Sequence, residues 1–238
     1  MTKPVGFDQK ILLHHLDFTA KQSKRNSRSD MYEILDGYLR EDITGAKSRK
    51  NVITMLMKIW YITPDNLKNI RDDILNEFNE FSQEERLFIH WCMTIIAYPF
   101  FKEVVNEFGR LFQLQDNVSS SAIGKRMKES YGDRRRVEVA TSAVISSLKA
   151  WEIIVPTDNR SYKENVKIQI ENSLLQGLLF ETILHVSESS YLFVNTVINH
   201  PLFFPFQIDL NLHELREREN NLTFYYQGVE NLVVERDL

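Results

Sequence analysis

Turn-forming residues are scarce in this chain, which contains eight glycines and six prolines in 238 residues. An all-β architecture needs a turn about every ten residues, and these residues are too few to supply the turns. Hydrophobic residues make up 43% of the sequence, enough for a substantial core in one large domain or two small ones. We therefore expect a mainly α fold built from long helices.

Apolar residues recur at helical spacing through the first 117 residues, which we assign to a helical body. Thr63-Pro64 is typical of an N-cap followed by a first helical position, and an apolar stripe runs on to Phe81. Ser82-Gln-Glu-Glu85 has the spacing of a capping box, and the apolar helix after it should lie at the centre of the core. The polar run Lys21–Arg28 is interpreted as a loop or mobile arm.

The net charge of −4 hides an uneven distribution. Residues 1–60 carry 11 basic and 7 acidic side chains, and residues 119–170 carry 10 and 6, so each segment is at +4. Residues 61–118 and 171–238 are at −5 and −7. Because a basic face can coexist with an acidic back, the total charge does not exclude nucleic-acid binding.

Residues 118–170 have the order of parts of a winged helix-turn-helix. Ser119-Ser-Ser121 offers N-caps for a helix that ends at Tyr131-Gly132, and Asp133 can cap a second helix. One face of that helix is apolar at helical spacing from Val137 to Trp151. A strand at residues 153–155, a turn at 156–160 and a strand at 162–170 would form the wing. We assign residues 171–238 to a small α+β segment, a helix plus short strands that pack on the body.

Three consecutive arginines, Arg134 to Arg136, fall in the first turn of the predicted second helix. The helix dipole disfavours a cation there by about 0.3–1 kcal/mol, so another requirement has to favour them. In a helix-turn-helix this turn enters the major groove of DNA, where arginine bonds guanine edges or phosphates. The predicted surface for double-stranded DNA consists of Lys125, Arg126, Lys128, Arg134, Arg135, Arg136, Arg160 and Lys163.

Two other interpretations of these basic residues stay open. They can form a solvated turn paired with acidic residues such as Asp133 or Glu138. They can also dock an acidic protein, which would make the chain an interaction subunit that uses a winged-helix fold to hold a partner. Its contact region would then include the acidic tail and the aromatic residues Phe203, Phe204, Phe206, Tyr225 and Tyr226, unless these residues belong to the core.

The sequence carries no pattern of an enzyme site. The six histidines show no i, i+4 pair and no cysteine companion, so we expect no metal site and interpret His14-His15 as a surface or interface pair. No glycine-rich phosphate loop occurs, and Asp158, Glu164 and Lys167 do not have the spacing of a nuclease. We expect a non-enzymatic protein without catalytic residues or cofactors.

The chain is expected to be cytoplasmic and not to enter a membrane. No apolar run reaches the roughly 18 residues that span a bilayer, and the first residues lack the order of a signal peptide. The single cysteine, Cys92, lies in an apolar run, which indicates a buried thiol rather than a disulfide.

Four stretches resemble the A protein of BREX phage-defence systems: Lys47-Ser-Arg-Lys50, Glu84-Glu-Arg-Leu-Phe-Ile-His-Trp91, Tyr98-Pro-Phe-Phe101 and Ser146-Ser-Leu-Lys-Ala-Trp-Glu-Ile-Ile154. The similarity is one of layout, a small helical body followed by a helix-turn-helix and a short wing, and it covers about residues 30–160. This chain differs in its longer C-terminal segment. The resemblance implies a cytoplasmic, non-enzymatic DNA-binding accessory protein that acts with larger defence-system subunits.

Overall fold

The computed structural model describes residues 3–218, 221–228 and 231–236. Helices dominate these ranges, as the scarcity of turn residues predicts, and they contain eleven α-helices: α1 (Leu13–Ser23), α2 (Arg28–Tyr38), α3 (Ala46–Trp60), α4 (Lys68–Glu77), α5 (Gln83–Ala97), α6 (Pro99–Phe112), α7 (Ser120–Tyr131), α8 (Arg135–Ala150), α9 (Ser173–Ser187), α10 (Val194–Ile198) and α11 (Leu212–Arg218).

Strands occupy a smaller part of the described chain: β1 (Val118–Ser119), β2 (Ile154–Thr157), β3 (Ser161–Glu164), β4 (Ile168–Ile170), β5 (Tyr191–Phe193), β6 (Phe206–Ile208), β7 (Leu222–Gln227) and β8 (Asn231–Arg236). Two antiparallel sheets have the strand orders β1-β3-β2 and β5-β8-β7, and β4 pairs with β6 in parallel. The C-terminal part thus combines helices with small sheets.

The predicted capping box at the start of α5 is confirmed. The Ser82 hydroxyl accepts a hydrogen bond from the Glu85 amide at 3.1 Å, and the Glu85 carboxylate accepts one from the Ser82 amide at 2.8 Å. The helix before it begins later than predicted, because Pro64 is extended (ψ 145°) and a 3-10 turn at Asp65–Leu67 precedes α4.

The run Lys21–Arg28, predicted to be a loop or mobile arm, is a loop only at residues 24–27, and its two ends belong to helices. Helix α1 continues to Ser23 and α2 already begins at Arg28, so only four residues connect the two helices. Ser27 is the N-cap of α2, and its hydroxyl accepts from the Asp30 amide at 3.3 Å. The polar residues of the run therefore serve as a helix end and a cap, roles that need polarity without needing mobility.

The predicted second wing strand is also shorter than expected. Strand β3 ends at Glu164, and residues 168–170 form β4, which pairs with β6 instead of with the hairpin. The Ile168 amide donates to the Pro205 carbonyl at 2.9 Å, and the Asp209 amide donates to the Ile170 carbonyl at 3.2 Å. The segment that follows the hairpin thus joins the C-terminal part, a pairing between distant residues that local alternation does not reveal.

The core is centred on Trp91 of α5, which is fully buried. Its indole N–H donates to the Leu202 carbonyl at 2.9 Å, and the Trp151 indole donates to the Ile11 carbonyl at the same distance. The two indole rings lie 6.5 Å apart. Cys92, next to Trp91, is a buried free thiol as predicted.

Three aromatic residues of the proposed partner-contact region belong to this core. Phe203, Phe204 and Phe206 are 2%, 7% and 4% exposed. Phe204 and Phe206 lie within 6 Å of the Trp91 ring, at centroid distances of 5.9 and 5.7 Å. For these three residues the structure bears out the core interpretation rather than the contact region, because the C-terminal part uses them to pack on α5.

Gly109 of α6 lies directly against the backbone of Pro201 in the C-terminal part. A Cβ atom at this position would overlap the Pro201 carbonyl oxygen. We expect Gly109→Ala to lower the free energy of unfolding by about 1–3 kcal/mol or more, because backbone atoms have to shift. Chemical denaturation followed by circular dichroism would measure the change.

Gly124→Ala is the matched control for that substitution. Gly124 also lies within a helix, and a Cβ atom there meets nothing within 4 Å. Alanine should raise the free energy of unfolding by about 0.4–1 kcal/mol, because it restricts the unfolded chain. An equal effect of the two substitutions would contradict the close packing of α6 on Pro201.

Candidate nucleic-acid interface

Helices α7 and α8 are connected by the glycine turn that the sequence predicts. The Ser119 hydroxyl caps α7 by accepting from the Ala122 amide at 3.1 Å, and Gly132 ends the helix at a positive φ of 86°. Glycine adopts this conformation without steric cost. The predicted cap at Asp133 is wrong: Arg134 is the N-cap residue of α8 and makes no side-chain cap bond, while Asp133 pairs with Lys128.

The apolar face of α8 packs inward as its spacing predicts. Every member of that stripe is at most 2% exposed: Val137, Ala140, Val144, Leu148 and Trp151. The hairpin of β2 and β3 follows, and β1 pairs with β3 through Val118 opposite Tyr162. This packing fixes the outer face of α8 relative to the hairpin.

Two of the eight predicted basic residues are held by other parts of the fold. Arg126 contacts a carboxylate oxygen of the buried residue Glu107 at 3.0 Å. Arg134 folds back on the chain, where its guanidinium donates to the Tyr131 carbonyl at 2.9 Å and to the Lys3 carbonyl at 3.1 Å. These side chains already have structural partners, so a ligand would have to compete for them.

Lys128 is paired with two carboxylates, Asp133 at 2.9 Å and Glu138 at 2.5 Å. The hydrogen bonds to Glu138 and then Asp133 raise the pKa of Lys128 above its ordinary value. Its charge is present but locally compensated. Solvated pairing is therefore the correct description of this one residue.

The other five predicted residues are exposed, and their side chains have no ion-pair or hydrogen-bond partner within the described ranges: Lys125, Arg135, Arg136, Arg160 and Lys163. They come from α7, from the first turn of α8 and from the hairpin. Asn159 and Arg160, at the tip of the hairpin, have φ values of 58° and 55°. This left-handed backbone is uncommon for residues other than glycine.

A groove of about 1020 Å³ lies between α7, α8 and the hairpin tip. Lys125 of α7, Ser142 of α8 and Arg160 of the hairpin tip all border it. Glu129 and Glu138 border it as well, so the groove has mixed charge. Arg135 lies one helical turn before Glu138 and extends the same face of α8.

Two exposed residues on the outer face of α8 were not among the predicted contacts. Val139 is 42% exposed, and Ser142 is also exposed. Val139 follows Arg135 by four residues and Ser142 follows Val139 by three, so the helix face opposite the apolar stripe could have identified them. Their side chains are neutral, and a prediction based on charge does not include them.

The fold separates some of the other polar residues considered for a site and brings others together. Asp158 lies at the hairpin tip, whereas Glu164 lies at the far end of β3 with Lys167 3.8 Å away. Burial raises the pKa of Glu164. The fold also brings His14 and His15 together with Asp42, a cluster that sequence spacing could not indicate because Asp42 is 27 residues away.

A scan against protein-family models and searches of curated proteins and of solved structures found no match to this chain. Over the ranges that the structure covers, no helix has both the length and the apolar character to cross a membrane.

Arg126→Ala tests whether a basic residue that pairs with a buried carboxylate contributes to stability. The substitution leaves Glu107, whose side chain is 8% exposed, with Arg110 at 3.5 Å as its remaining ion-pair partner among the described residues. We expect the free energy of unfolding to fall by about 1–3 kcal/mol. Arg135→Ala, the control, should stay within about 0.5 kcal/mol of the parent. A stable Arg126→Ala protein would show that the Glu107 pair contributes little.

Proposed function

We propose that residues 118–164 form a winged helix-turn-helix that binds double-stranded DNA. The observation that carries this proposal is the set of five exposed and uncompensated cations on α7, α8 and the hairpin. The order of elements also supports it: a short strand, two helices around a glycine turn, and a hairpin whose strands form the sheet β1-β3-β2. In that architecture the second helix enters the major groove and the hairpin lies along the adjacent backbone.

Helix α8 would present its first turn and its outer face to the base pairs. Arg135 and Arg136 suit phosphates or guanine edges, and both are available for such contacts. One turn further, Val139 offers an apolar surface for a thymine methyl group, and Ser142 offers a hydroxyl that can bond several bases. Arg160 and Lys163 of the hairpin and Lys125 of α7 would contact phosphates on either side.

Five cations set a limit on the electrostatic part of binding. Each phosphate neutralised in duplex DNA contributes about −0.9 to the slope of log K against log salt. If all five contact phosphates, the slope is about −4.5. The structural partners of Arg126, Lys128 and Arg134 reduce the contribution expected from the full set of eight.

The double variant Arg135→Ala/Arg136→Ala should bind duplex DNA more weakly, with a salt slope shallower by about 2. Fluorescence anisotropy of a labelled duplex across a salt series would measure both changes. Circular dichroism would show that the fold is retained.

The matched control is Lys47→Ala/Lys50→Ala, which removes the same charge from exposed positions on α3. Binding should be nearly unchanged in this variant. Equal losses in both double variants would indicate a non-local effect of charge, and the proposed interface would then be wrong.

Glu138→Gln should change DNA binding in the opposite direction. It removes a carboxylate from the groove and leaves Asp133 as the remaining ion-pair partner of Lys128 among the described residues. We expect tighter binding and a steeper salt slope, because Lys128 becomes available to a phosphate. Glu33→Gln on α2 gives the same charge change at an exposed position and should have no effect. Weaker binding by Glu138→Gln would place the DNA elsewhere.

The resemblance to the A protein of BREX phage-defence systems supplies a setting for this activity. In that setting the chain is a non-enzymatic accessory protein that brings larger defence subunits to DNA. The setting rests on the resemblance alone, and the DNA-binding proposal does not require it.

A second candidate function is partner docking through the sheet β5-β8-β7. Its outward side carries Tyr191, Phe193 and Tyr225, which are 50%, 40% and 40% exposed, and Tyr226 nearby is 61% exposed. Tyr and Phe are enriched where proteins contact one another. This sheet belongs to the acidic C-terminal segment, which would favour a basic partner. Indifference of the intact chain to duplex DNA at low salt would favour this candidate.

A further inference from the structure

His14, His15 and Asp42 converge at the junction of three helices. Both histidines lie in the first turn of α1, and Asp42 lies in the loop between α2 and α3. The Nε2 atoms of His14 and His15 lie 2.8 and 2.9 Å from the same Asp42 carboxylate oxygen. One ligand atom from each residue can be chosen so that all three lie within 4.8 Å of one another.

We propose that these three residues bind a divalent transition-metal ion of the zinc class. Imidazole nitrogen and carboxylate oxygen are ligands that zinc accepts at about 2.0–2.2 Å. Because the three ligand atoms lie within 4.8 Å of one another, small side-chain movements would bring them to these distances. Three protein ligands leave a fourth position of a tetrahedral site for water or an external ligand.

The burial of the three residues differs in a way that suits such a site. His15 is 1% exposed, whereas the side chains of Asp42 and His14 are 36% and 50% exposed. One ligand is therefore fixed in the fold while the other two face solvent, through which an ion can enter. His14 also borders a cleft of about 330 Å³.

Aromatic packing holds the two imidazoles in place. The Tyr38 ring lies edge-on to His14 and His15, at centroid distances of 6.1 and 6.4 Å. Tyr38 is itself stacked on Phe18 at 3.8 Å, and its hydroxyl donates to the His14 carbonyl at 3.4 Å. A ligand set held by its surroundings loses less freedom when it binds an ion.

Binding has one identifiable cost at His15. The Leu12 amide donates to Nδ1 of His15 at 3.4 Å, which places the imidazole proton on Nε2. Coordination through Nε2 moves that proton to Nδ1, so this long hydrogen bond is lost. Three metal–ligand bonds would replace this hydrogen bond, and they would also replace the two hydrogen bonds between the histidines and Asp42.

The test uses the full chain without a histidine tag, freed of metal with a chelator and dialysed. Titration calorimetry with Zn²⁺ should show one ion per chain, and Co²⁺ should give the visible absorption of a tetrahedral site. His14→Ala and Asp42→Asn should each weaken Zn²⁺ binding at least about tenfold. Both substituted side chains are at least one-third exposed, so the variants should fold.

His213→Ala is the control, because His213 is 84% exposed and lies on α11, near Glu217. It should bind Zn²⁺ as the parent does. Two results would overturn the proposal: no stoichiometric Zn²⁺ binding by the parent, or equal affinity in His14→Ala. Either result would leave the cluster as an ion pair that ties α1 to the loop after α2. DNA binding is measured separately, so its outcome does not affect this test.

Discussion

The burial of Trp91 is the interaction on which the rest of this structure depends. Its indole N–H bonds the Leu202 carbonyl, 111 residues away in the sequence. Its ring is surrounded by aromatic residues from three parts of the chain: Phe101 of α6, Trp151 after α8, and Phe204 and Phe206 of the C-terminal part. One side chain thus connects the helical body, the helix pair and the C-terminal strands. None of these parts can move far without breaking that packing.

This connection determines what the candidate DNA surface can do. Trp151 comes directly after α8 and bonds the Ile11 carbonyl near the chain start, so the end of α8 is fixed at the core. The hairpin begins three residues later, and β1 pairs with β3 next to the hairpin tip, at Ser161 and Tyr162. The outer face of α8 and the hairpin tip are therefore parts of one rigid surface. A surface that is already arranged loses less conformational entropy on binding.

The sequence predicts those features of the fold that depend on local chemistry. The capping box at Ser82, the glycine turn at Gly132 and the apolar face of α8 each arise from residues a few positions apart, and the structure has all three. Pairing between distant segments was beyond local patterns, as the parallel contact of β4 with β6 shows. The sequence shows which residues are charged, but it does not show which group pairs with each of them. Arg126 and Arg135 look alike in the sequence, yet Arg126 pairs with the buried Glu107.

A cation on a folded surface contributes to binding only to the extent that the fold has not already compensated it. Arg126 balances a buried carboxylate, and Lys128 is shared between Asp133 and Glu138, so both charges are already compensated within the protein. Arg135 and Arg136 satisfy no other group in the described chain, and the dipole of α8 opposes their position. Stability alone does not account for two exposed arginines at this helix end. An anionic ligand at the first turn of α8, as proposed above, would account for them.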